Sequence, residues 1–138
     1  HSICGFTGCL KNMTHGSITN PGKHHGAGAH EQIAALYNHE IMKSRVRLHI
    51  IDAFKIIYDK GPLDKDPKRR IPYGAAYATT APLALDTIGW KVVDKARTEN
   101  GMKTLAQVGR EPKYIAKAAS LGLGVHAESK IKLSEVAL

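Results

Sequence analysis

The stretch "VRLHIIDAF", Val46 to Phe54, decides how the chain is read. It is rich in β-branched and apolar residues, with few polar ones between them. That pattern predicts a strand buried on both faces, the kind found in parallel sheets covered by helices. Asp52 falls near the C-terminal end of the stretch. Open α/β sheets bind ligands at that end of their strands. Asp52 is therefore either a functional carboxylate or a turn-forming residue.

The neighbours support an α/β reading. Upstream, "EQIAALYNHEIMK" (31–43) predicts one helix, with Ile33, Leu36, Tyr37 and Ile41 on an apolar stripe. Glu31 in its first turn and Lys43 in its last suit the helix dipole. His39 lies on the polar side. Downstream, "DKGPLDKDPKRRIP" (59–72) reads as a long exposed basic loop. "GAAYATT" (74–80) predicts a second strand. "APLALDTIGWKVVDKARTENG" (81–101) predicts a helix opened by Pro82 and closed by Gly101, with Leu85, Ile88, Val92, Val93 and Ala96 as its apolar stripe. Asp86 in its second turn has the ordinary reading of a helix-surface carboxylate. A third helix is expected from about Pro112 to Leu121, and "KIKLSEVAL" (130–138) alternates like a last strand. Near the start, "FTGCLKNMT" (6–14) is expected to make one or two helical turns within a glycine-rich region.

The predicted order is loop, α, β, loop, β, α, α, β. The expected fold class is α/β, a partly parallel sheet with flanking helices. The sheet is expected to be incomplete, so that upstream residues, a second copy or another chain complete it. Leu48, Ile50, Ile51, Ile88, Val92 and Ile115 are the expected core, which makes Ile50→Ala costly by roughly 2–5 kcal/mol.

The totals suit one domain over residues 1–138, with 43% hydrophobic and 23% charged residues. No apolar run is long enough for a membrane-spanning helix. The chain opens on His1 rather than Met, as the start of a processed product or a piece of a longer chain would. The net charge is +8, which allows an anionic ligand or an acidic partner. Nucleic acid is disfavoured, because the basic residues are scattered and only 6% of the chain is aromatic. Cys4 and Cys9 cannot supply the four thiolates of a structural zinc site or an iron–sulfur cluster. They read as buried thiols, a local disulfide, or ligands completed by other residues.

"NPGKHHGAGAH" (20–30) sets His24, His25 and His30 in a glycine-rich loop. Three readings stay open. One is a divalent metal site, in which His24 or His25 joins His30 and either His1 or Asp52. Another is an anion site built from glycine N–H groups, Lys11 and Lys23 over the helix that starts near Glu31. The last is a mobile loop with no ligand. Side chains of adjacent residues diverge in an extended segment, so one site is expected to take only one of His24 and His25.

In sequence order, "GFTGCLKNMTHGSI" (5–18), "LHIIDAF" (48–54), "PLALDTIGW" (82–90) and "AASLGLG" (118–124) resemble the family called domain of unknown function 362. The resemblance covers nearly the whole chain and corresponds to about the C-terminal two thirds of a member. It implies no settled activity. It does imply an iron–sulfur association in many members, through cysteine motifs this chain lacks, and export in many others, so a cytoplasmic or an exported location both stay open. Carried over position by position, it marks His1, Thr7, Lys11, Asn12, one of His24 and His25, Asp52 and Asp86. The family's helix usually opens on Asp-Pro. Here Ala81 stands at the Asp position, and a lost cap of that type costs about 1 kcal/mol unless Thr80 replaces it. Two functions follow as expectations. One is a metal- or redox-linked module whose His/Asp/Lys pocket joins His24 or His25 to Lys11, Asn12 or Asp52. The other is a non-catalytic binding or structural subunit that uses a basic surface.

Overall fold

The computed structural model describes residues 1–137. Five helices and two strands follow one another: α1 (Cys9–Gly16), α2 (Ala29–Tyr37), α3 (Glu40–Arg45), β1 (His49–Ile57), β2 (Arg70–Thr79), α4 (Pro82–Glu99) and α5 (Tyr114–Ser120). The fold is α/β, as expected. Its core is helical: Cys4, Cys9, Leu10, Ile33, Ala34, Tyr37, Leu83, Tyr114, Ile115 and Ala118 interlock where α1, α2, α4 and α5 meet.

The sheet corrects the expectation of partly parallel strands. β1 and β2 form one antiparallel pair, with His49 opposite Thr79 and Ile57 opposite Arg70. The residues between the strands fold back on themselves instead of crossing over through a helix, so a hairpin results. Its connection carries a short 3-10 turn at Pro67–Arg69, and is tied by Lys60–Asp66 at 3.1 Å, by the Arg70–Asp64 pair and by the Tyr58 hydroxyl donating to the Lys68 carbonyl. The predicted loop at 59–72 therefore ends at Arg70, where β2 begins.

The same hairpin overturns the reading of β1 as buried on both faces. His49 and Ala53 point inward and are buried, whereas Leu48, Ile50 and Phe54 are exposed. Hydrophobic content alone misled here, because the alternation along β1 is apolar on both faces and only one face meets the helices. Asp52 sits mid-strand rather than at the strand end. Its Oδ1 accepts from the Phe54 N–H at 2.8 Å, beside a register shift between Ala53 and Lys55. Ile50 is 71% exposed, so Ile50→Ala should change stability by under roughly 0.5 kcal/mol. Ile33→Ala, at a fully buried position, should cost roughly 2–5 kcal/mol. Equal losses in urea denaturation would contradict this division between core and hairpin face.

Two other boundaries moved. The helix expected over 31–43 is two helices, because His39 turns out of helical geometry and its Nδ1 accepts from the Ile41 N–H, starting α3 as a new helix. Residues 131–137 take no regular structure where a last strand was expected, and Leu138 lies outside the described residues. Their alternation is real, but among the described residues no strand edge pairs with it. α4 and α5 match their predicted spans closely. Ala81 at the start of α4 makes no side-chain cap. Thr79, not Thr80, helps there: its hydroxyl oxygen accepts from the Ala81 N–H at 2.8 Å.

Candidate functional site

Asp86 is the most connected polar group in the core. It is fully buried on α4 and faces the start of α1. Its Oδ1 accepts from the Cys9 N–H at 2.5 Å, and its Oδ2 accepts from the Leu10 N–H at 3.1 Å and the Tyr114 hydroxyl at 3.0 Å. The first N–H groups of a helix lack partners inside it, and Gly8 before α1 offers no side chain to cap them. Asp86 caps α1 from another helix. Gly8 is required for this approach, since a Cβ there would fall on Oδ1. Gly89, one turn further along α4, leaves room for the Phe6 ring. The segment around Thr7 and the segment around Asp86 are thus one packed joint.

A cleft of about 260 Å³ opens between the hairpin, α4 and the first residues of the chain. Ile51, Tyr77, Leu85, Val92, Val93 and Leu105 make its walls apolar. Its other end is charged. Arg97, only 1% exposed, donates Nη1 to Asp59 Oδ1 at 2.9 Å and to the Tyr58 carbonyl at 3.0 Å, and Nε to the Lys103 carbonyl at 2.8 Å. Arg110 donates Nη2 to the same Asp59 oxygen at 3.3 Å. Burial works to raise Asp59, but the bonds from Arg97 and Arg110 outweigh it and hold the carboxyl below its ordinary range. Of the residues marked from the sequence, His1, Thr7 and Asp52 line this cleft. Arg97, Arg110 and Asp59 were not foreseen.

The histidines form a second group, which meets the cleft at His1. His15, absent from the sequence-based candidates, is buried at the end of α1. Its ring centroid lies 4.5 Å from that of His25 and 6.5 Å from that of His24, and His1 stacks on His25 at 5.8 Å. Each marked ring is already engaged. His24 Nδ1 meets Gln32 Oε1 at 2.5 Å, His25 Nδ1 meets the Pro21 carbonyl at 2.8 Å, and His1 Nδ1 accepts from the Ile3 and Cys4 N–H groups. His30 stands apart, accepting from the Tyr114 N–H at 3.2 Å. Burial lowers the His15 and His30 imidazoles, favouring their neutral forms. Of the partners expected for His24 or His25, Lys11 lies near the cluster, since it and His25 both act on His15. Asn12 lines a different hollow, beside β1, and Asp52 lines the cleft. Lys11 is half-buried on α1.

Residues 1–91 match the family model "Domain of unknown function (DUF362)". The chain belongs to that family. No curated protein and no solved structure matches it. The DUF362 match takes in α1, the hairpin and the first half of α4, so it includes the joint between Gly8 and Asp86. Arg97 and Arg110 of the cleft lie beyond it.

The two thiols of this DUF362 chain lie in the core. Cys4 and Cys9 are buried and unpaired in a disulfide. Burial raises both, and the Asp86 carboxylate raises Cys9 further, which favours the neutral thiols. Among the described residues, no three His, Cys, Asp or Glu side chains gather around a metal position. A last buried pair joins Tyr37 Oη to His49 Nε2 at 2.7 Å. Burial pushes the Tyr37 phenol up to about 12 and lowers His49, so both stay neutral.

Proposed function

We propose that this DUF362 chain is a non-catalytic binding module whose cleft takes a small organic anion, with its charged group at Arg110 and its apolar body against Ile51, Tyr77 and Val93. One observation carries the reading. Two guanidinium groups share the single carboxylate of Asp59, which leaves one positive charge uncompensated at the end of an apolar cleft. Arg97 is buried and directs Nε and Nη1 at Asp59 and two carbonyls. Arg110 is 29% exposed in its side chain and keeps donors free. An arginine in that setting favours carboxylate or phosphate. The volume lies just under the roughly 300–1,000 Å³ of drug-sized sites, which suits a smaller molecule.

The test is calorimetric titration with hexanoate, hexanol and hexylamine as probes. Hexanoate should bind more tightly than both others, and Arg110→Ala should weaken it by roughly 10- to 100-fold, the value of one charge-assisted hydrogen bond. If hexanol binds as well as hexanoate, or Arg110→Ala leaves hexanoate unaffected, the reading fails.

A further inference from the structure

A second hollow, of about 380 Å³, lies between α1 and β1. Its size falls within the roughly 300–1,000 Å³ of small-molecule sites. Asn12 and Met13 line it from α1, and Leu48, His49 and Ile50 from the β1 side. Among the described residues, no Lys, Arg, Asp or Glu lines it, so a charged ligand would lose hydration there and meet no countercharge. His49 is only 6% exposed. Its Nε2 meets Tyr37 Oη at 2.7 Å, whereas its Nδ1 makes no hydrogen bond among the described residues. That nitrogen is not sealed in the core: among the described residues, the one enclosed side-chain nitrogen or oxygen without a partner is Trp90 Nε1. The hollow is the space that His49 borders, so it is where Nδ1 opens.

The protons on this pair decide what His49 offers. Burial lowers His49 and keeps the imidazole neutral, so one ring nitrogen carries a proton and the other accepts. Burial pushes the Tyr37 phenol up to about 12, so the phenol keeps its proton. Among the described residues, that hydroxyl has His49 Nε2 as its partner. Donation in the other direction, from Nε2–H to the phenol oxygen, would leave the hydroxyl proton without an acceptor in the core, which is costly. Tyr37 therefore donates to Nε2, and the imidazole proton sits on Nδ1. We infer that the hollow binds a small uncharged molecule carrying a carbonyl group, whose oxygen accepts from the Nδ1–H of His49. The Asn12 carboxamide offers a second donor, and Met13, Leu48 and Ile50 meet the apolar part. The site is independent of the anion cleft, since the two share only Ile51 among their lining residues.

Nitrogen NMR of the full chain with isotopically labelled histidine tests it near neutral pH. The probe is N-methylpyrrolidone, an uncharged ring whose carbonyl accepts but cannot donate. Its control is N-methylpyrrolidine, the same ring without the carbonyl, protonated and able only to donate. In the free protein His49 should show the Nδ1–H tautomer, a measurement that needs no variant. The lactam should shift the His49 Nδ1 signal along a saturable curve, and its N-methyl protons should show Overhauser contacts to the Met13 and Leu48 methyls. The amine should do neither. Tyr37→Phe removes the group that fixes the tautomer, so the Nε2–H form should appear and the lactam should bind more weakly by roughly 2- to 10-fold. An Nε2–H tautomer in the wild type overturns the inference, as does a lactam that leaves Nδ1 unmoved. Equal binding of the amine overturns it too, and so do Overhauser contacts to Tyr77 and Val93 alone, which would place the probe in the anion cleft.

Discussion

Asp86→Asn should destabilise the protein more at pH 4 than at pH 7, with the difference between the two reaching roughly 2 kcal/mol. Burial raises the Asp86 carboxyl from 3.8 to about 6, against the pull of the Leu10, Cys9 and Tyr114 donors. The native state therefore binds a proton here between about pH 4 and 6 that the unfolded chain has lost. A group raised in this way contributes stability that is complete below the unfolded value and disappears as pH rises through the folded one. Asn does not titrate, so the pH-dependent part belongs to the wild type alone. Other groups titrate equally in both proteins and cancel in the difference. Asp86→Ala should be worse than Asn at pH 7, by about 1–3 kcal/mol, because it strands the Cys9 and Leu10 N–H groups and the Tyr114 hydroxyl without an acceptor in the core. Urea denaturation of the three proteins at several pH values measures all of this. A pH-independent gap between wild type and Asn would mean that Asp86 titrates alike in the folded and unfolded chain and the burial argument is wrong.

Asp86 also shows how far the sequence could be read. Its segment was legible as an amphipathic helix, and α4 forms nearly as predicted. The carboxylate looked like helix surface, yet Pro82, Asp86, Gly89, Val93 and Arg97 follow one another at three- and four-residue steps. They share one stripe with the apolar residues that pack. Polar groups on such a stripe signal a buried partnership, and that signal was present for both Asp86 and Arg97. The partners themselves were not readable, since Cys9 lies 77 residues from Asp86 and Asp59 lies 38 from Arg97. The strands failed differently. β1 was recognised as a strand, but its even-numbered apolar residues were assigned to a second covering layer. Local pattern cannot say whether such a layer is present, and among the described residues it is not. The histidine loop was legible as a cluster, but His15 joins it from a helix whose pattern marked it as nothing special.

Arg97→Ala should cost about 3–5 kcal/mol, more than any substitution on the hairpin face. The side chain ties three separate pieces of chain together: the end of β1 at Tyr58 and Asp59, the turn after α4 at Lys103, and α4 itself. Removing it leaves two carbonyls without this donor and leaves Asp59, only 10% exposed, with Arg110 alone at 3.3 Å. Arg97→Lys keeps the charge but cannot aim donors at a carboxylate and two carbonyls at once, so it should recover only part of the loss. The pairing with Asp59 predicts a second signature. Asp59 is held below its ordinary range, so its contribution is present above about pH 4 and is lost as pH falls further, the opposite sense to Asp86. In the Arg97→Ala background that acid-side loss should shrink, and Asp59→Asn should cost about 1–3 kcal/mol less than it does in the wild type. A double-mutant cycle in urea at pH 7, repeated near pH 3.5, reads both effects. Additive single substitutions would show that Arg97 and Asp59 act separately, and that Arg110 alone sets the charge at the end of the cleft.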